Sequence, residues 1–225
     1  MDEELRAHPD DLVALMRAGR LSPERVAMAA YLGDARALAT GLEPWKPAYP
    51  LWIIAGRHAR PWPARVLLTG RSSLTTRERA WLLCLCAEHA VAKGWSHGPE
   101  AAETLQAVRR WCRGEAPADD AYACARALAQ VVDRLEARIR ASLIDAEAIH
   151  GRNAGSAVYH AAILAASEFL EPADEPIDAS IAYAAEVGGA SEEAWQDQAI
   201  AAVLLDPNWP PWAQQNSLPL EAGWM

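Results

Sequence analysis

The chain has 225 residues, a net charge of −9, and 52% of its residues in the hydrophobic class, with only one phenylalanine. That length suits one domain, or one helical array, with room for a sizeable core. The acidic balance argues against a nucleic-acid partner, because unaided binding to a phosphate backbone draws on Lys and Arg, whereas a basic protein partner is compatible with it.

Alanine is the commonest residue, and β-branched or aromatic runs are scarce. Alanine loses no side-chain entropy in a helix and lets neighbouring helices approach closely, so the expected fold class is all-α. In chain order, Leu12, Leu15 and Met16 form an apolar stripe that stops at Gly19. Ser22-Pro23-Glu24 then opens a second helix, with Ser as cap, Pro at the first helical position and Glu at the positive end. Gly33 closes it, and Asp34 caps a third short helix to Leu42. Between Pro44 and Pro63 the chain is dense in Pro and Trp, and a short helix is predicted over Leu51–His58.

A helix from Pro63 to Gly70 follows. Thr75-Thr76-Arg77-Glu78 has capping-box form and opens a helix to Lys93, whose apolar face carries Trp81, Leu82, Leu85, Cys86 and His89. Pro99-Glu100 starts the next, striped by Leu105, Val108, Trp111 and Cys112 and closed by Gly114. The longest helix is expected from Asp119 or Asp120 to Leu143, where apolar residues from Cys124 to Leu143 recur at helical spacing. His150 to Gly155, with two glycines, reads as a break before a helix over Ser156–Glu171. Pro176–Val187 and Ser191–Leu205 complete the set. The expectation is a multi-helix bundle or irregular α-solenoid of nine or ten helices over residues 1–205, with the Pro/Trp-rich tail 206–225 packed on it.

The start, Met1-Asp2-Glu3-Glu4, lacks the basic and apolar regions of a signal peptide, and no apolar run reaches bilayer-spanning length. Cys84, Cys86, Cys112 and Cys124 all fall within predicted helices. The expectation is a reduced, cytoplasmic protein with no membrane partner.

Three groupings bear on chemistry. Cys86 and His89 share a helical face at i,i+3, the spacing a thiol and its base would need, although a cysteine in an alanine-rich stripe also simply packs. Glu147 and His150 form a Glu-x-x-His pair of the kind that holds metals in carboxylate bundles, but no second pair accompanies it, so no metal or cofactor is expected. Ten tryptophans are unusual beside one phenylalanine. Trp209 and Trp212, in Asn208-Trp209-Pro210-Pro211-Trp212, lie in a segment that regular helix does not fit. Tryptophan there either seals the bundle or anchors a partner, and these two are the candidate partner-binding residues.

One stretch, Arg77 to Ala116, resembles bacterial immunity proteins of polymorphic-toxin systems. The likeness rests on Cys86-Ala87-Glu88-His89-Ala90-Val91, then Glu100-Ala101 with Leu105 and Ala107, then Val108-Arg109-Arg110-Trp111-Cys112-Arg113-Gly114-Glu115-Ala116. It covers about forty residues and implies a helical inhibitor that occludes a cognate toxin, with no catalytic residues of its own. The expected function is therefore a non-enzymatic protein–protein interaction module, an immunity-type inhibitor or scaffold in a bacterial conflict or signalling system whose partner is a basic toxin or effector. Two alternatives are a helical module that recognises a peptide or second domain, and a helical enzyme or ligand binder using Cys86/His89 or Glu147/His150.

Overall fold

The capping signals fold as their chemistry requires. Thr75 and Glu78 close the capping box: the Thr75 amide donates to Glu78 Oε2 at 2.7 Å, and the Glu78 amide to Thr75 Oγ1 at 3.2 Å. Ser22 accepts from the Glu24 amide, and Asp34 Oδ1 accepts from the amides of Arg36 and Ala37. The computed structural model describes residues 9–47, 62–69, 72–94, 99–141, 145–166, 174–188 and 190–212. Among these the chain is all-α, with ten helices. The helix expected over 51–58 and the tail beyond Trp212 lie outside the described residues.

The helices are α1 Pro9–Arg17, α2 Pro23–Tyr31, α3 Ala35–Ala39, α4 Pro63–Thr69, α5 Thr76–Gly94, α6 Pro99–Cys112, α7 Ala118–Ala141, α8 Ala146–Ala166, α9 Asp174–Gly188 and α10 Ala190–Leu204. Helix α8 is the centre, packed against α5, α6, α7 and α9. Helices α2, α4 and α5 surround α10, which also meets α9.

The centre corrects one expectation. His150 to Gly155 does not break the helix: α8 runs without interruption through Gly151, Asn153 and Gly155, all of them buried. Two glycines weaken an isolated helix by about 1 kcal/mol each relative to alanine. Here most of the buried face is Gly, Ala or Ser, so four helices can close on it. The true start lies upstream, where Asp145 Oδ1 accepts from the Ala148 amide at 2.9 Å and Arg138 of α7 holds the same carboxylate at 2.8 Å.

Two arginines act as clamps. Arg79 donates to the carbonyls of Leu68, Ser72 and Leu74, fixing the α4–α5 connection. Arg25 of α2 donates to the carbonyls of Trp209 (2.7 Å), Asp206 (2.7 Å) and Val203 (3.3 Å), and its guanidinium lies 4.9 Å from the Trp209 ring centroid. Carbonyls at a helix C-terminus have no intrahelical partner, so one guanidinium here both caps α10 and ties the end of the described chain to its beginning.

Arg25→Lys keeps the charge and loses the fork. It should cost about 2 kcal/mol in urea denaturation, the range of hydrogen bonds to a charged group. A change below about 0.5 kcal/mol, typical of an uninvolved surface position, would remove the clamp from this account.

Candidate functional site

Trp209 and Trp212 part company in the fold. Trp209 is only 5% exposed, packed in the core beneath Arg25. It is therefore committed to the chain's own interior and does not present an anchor. Trp212 is partly buried and meets Trp81 of α5 edge-on, with ring centroids 5.6 Å apart.

The sulfur chemistry is muted. Cys84, Cys86 and Cys112 are buried. Burial pushes all three thiols up, Cys112 to about 12, and for Cys86 the nearby carboxylates Glu192 and Asp197 add to the shift. A thiol held protonated is a poor nucleophile. Glu147 and His150 are both exposed, with Glu147 facing Arg138 across 3.8 Å. Among the described residues no group of three or more His, Cys, Asp or Glu is arranged to hold a metal ion.

His89 does have a polar partner, on α10. Its Nδ1 lies 2.7 Å from Glu192 Oε1, and Lys93, one turn along α5, donates to Glu192 Oε2 at 2.9 Å. The carboxylate is fully buried, and Trp195 stacks on the imidazole with centroids 3.5 Å apart. Gly188 makes the room: a Cβ there would lie 2.8 Å from Glu192 Oε2. One turn beyond Glu192, Gln196 is also buried, with neither amide atom hydrogen-bonded among the described residues. Asp197 reaches α4, where Oδ1 accepts from the Ala64 amide at 2.8 Å and so caps that helix from another element. Burial pushes its carboxyl up to about 6, against the lowering effect of that amide.

Beside α5, at the C-terminal end of α6, the surface is basic. Arg109 lies 4.6 Å from the Trp81 ring centroid and donates to Glu88 at 2.5 Å. Trp212, Trp81 and Arg109 thus form a ladder. It leads to a cleft of about 290 Å³ lined by Gln106, Arg109, Arg110 and Arg113. Arg113 forks onto Glu115, while Arg110 is half-exposed and only 3.9 Å from Asp120. The lining side chains carry three cations and an amide in a chain whose net charge is −9.

No family model, curated protein or solved structure matches this chain. The site is therefore read from its own chemistry. Sequence reasoning singled out Cys86, His89 and Trp212 but not their partners. Glu192 is 103 residues from His89, and nothing local marks it. The arginine cluster did carry a signal: three arginines within five positions, at the C-terminal end of a helix.

The Asp197 carboxyl has a clear pH signature. Its folded value, about 6, stands above the ordinary 3.8, so the fold holds the proton more tightly than the unfolded chain does. Its contribution to stability is therefore full below about pH 4, falls as pH rises to about 6, and stays reduced above. Asp197→Asn should be more stable than the wild type at pH 7.5 by about 2 kcal/mol, with the gap closing near pH 4. Urea midpoints across that range check it, and a gap independent of pH would contradict it.

Proposed function

We propose that this chain is a non-enzymatic protein–protein interaction module, an immunity-type inhibitor or scaffold in a bacterial conflict or signalling system. It would meet its partner through the Trp212–Trp81–Arg109 ladder and the adjoining arginine cleft. The observation that carries the reading is the meeting of Trp and Arg on one partly exposed surface. These are the residue types that dominate binding energy at protein interfaces, since each joins a large contact area to a directional polar group.

In this reading an acidic segment of the partner would meet the cleft by displacing Glu88, Asp120 and Glu115, the carboxylates of this chain that face its three guanidinium groups. A basic partner surface would face the acidic remainder of the chain, which speeds encounter and fixes orientation. Inhibition would then be steric, with the bundle covering the partner's working face. A helical module that recognises a peptide is the second reading, favoured by the cleft's size: about 290 Å³ lies at the low end for ligand pockets and holds one or two side chains.

Site-specific photocrosslinking in the native host separates these surfaces. A crosslinker at Gln106, on the cleft, should trap a defined protein, whereas one at exposed Gln130 on α7 should not. For an immunity role, the trapped protein should be toxic when expressed alone, and co-expression of the wild-type chain should restore growth. Arg110→Gln with Arg113→Gln should lose that rescue while the melting temperature falls by no more than a few degrees, the scale of two surface ion pairs. Equal products at both positions, or rescue by the double variant, would refute the cleft as the docking site.

A further inference from the structure

The segment after α10 is fixed by hydrogen bonds at one tryptophan and by a ring contact alone at the next. Trp209 is enclosed: its carbonyl accepts from Arg25 at 2.7 Å, its amide donates to the Asp206 carbonyl at 3.1 Å, and the Arg25 guanidinium lies over its ring. Pro210 and Pro211 follow, and neither has an amide proton to donate. Trp212 makes no hydrogen bond among the described residues. Its partly buried ring meets Trp81 edge-on, with 66° between the planes and 5.6 Å between centroids. Such a contact is a weak tie beside a guanidinium fork on carbonyls. Trp81 is itself partly buried, and the Arg109 guanidinium that lies 4.6 Å from its centroid also lines the arginine cleft. Trp212 therefore occupies aromatic surface next to that cleft, and it shows what Trp81 accepts: a second ring, edge-on.

We infer that Trp212 is a displaceable strap over Trp81, standing in for an aromatic side chain of the partner. In the free protein Trp212 covers the Trp81 ring. On docking, a partner aromatic takes its place, beside the partner carboxylate that enters the arginine cleft. Trp209 stays enclosed, so only the residues beyond it move, and the ties of α10 are kept. The inference rests on the interaction reading of this surface and adds its regulation. The free protein blocks part of its own docking site, and the partner's apparent affinity falls in proportion to the fraction of molecules in which Trp81 is open.

Fluorine nuclear magnetic resonance on the full chain labelled with 5-fluorotryptophan reads the strap directly, each signal being assigned by a single Trp→Phe change. In relaxation dispersion Trp81 and Trp212 should share one exchange process on the microsecond-to-millisecond scale, while the buried rings of Trp209 and Trp111 stay flat. In Trp212→Ala the exchange at Trp81 should vanish. Partner capture by a crosslinker at Gln106 should rise in that variant, on the order of tenfold for an open fraction of about one in ten. Flat dispersion at Trp81 and Trp212 would overturn the strap. So would weaker capture by a folded Trp212→Ala, because Trp212 would then be the anchor itself. If neither form captures a protein at Gln106, the interaction reading has failed, and wild-type exchange alone decides the strap, as it does where Trp212→Ala does not fold.

Discussion

A carboxylate removed entirely from water sits between α10, the last of the described helices, and α5. An isolated buried charge costs several kcal/mol after relaxation, and that penalty is offset only where opposite charge and hydrogen bonds meet it. Glu192 has both, from His89 and Lys93 on successive turns of α5. The pairing dictates its surroundings. Position 188 must lack a side chain, because Glu192 occupies the space a Cβ would take. Trp195 is brought over the imidazole, and α10 is held in a fixed rotation about its axis.

That rotation positions the other polar ties of α10. Asp197 meets the amide end of α4, and the carbonyls after Val203 meet the Arg25 fork of α2. One helix thus gathers three elements from the N-terminal half of the chain, α2, α4 and α5, through directed contacts. Packing does the corresponding work at α8, where small side chains let four helices converge. The bundle therefore has two kinds of joint: an apolar one at α8 that depends on small volume, and a polar one at α10 that depends on charge. Helix α6 stands outside the polar joint, with its arginines directed to the surface cleft.

The sequence was informative where signals are local. The capping box at Thr75, the Ser22 and Asp34 caps and the stripe of α7 as far as Ile139 can be read within a few residues, and each forms, while Leu143 lies outside the described residues. Gly151 and Gly155 misled because glycine marks a helix end when only local conformation is weighed. Their burial among four helices is a tertiary fact. Helix α10 was legible as a helix over Ser191–Leu205, but the burial of its polar residues was not. Glu192, Gln196 and Asp197 look like a solvated face, yet the first two are fully buried. A polar residue's pattern does not say whether its partner is water or a histidine a hundred residues away. The same limit separates the two nominated tryptophans: only the fold shows Trp209 enclosed and Trp212 beside Trp81.

The central claim is that the Glu192 pairing holds α10 in place. Amide hydrogen exchange on Glu192→Gln tests it most directly, since glutamine keeps the shape and removes the charge. Protection should fall selectively across 190–204 and the segment through Trp209, while the α8 amides keep wild-type rates. Unchanged exchange in α10, or an equal loss of protection across α8 and α10, would contradict it.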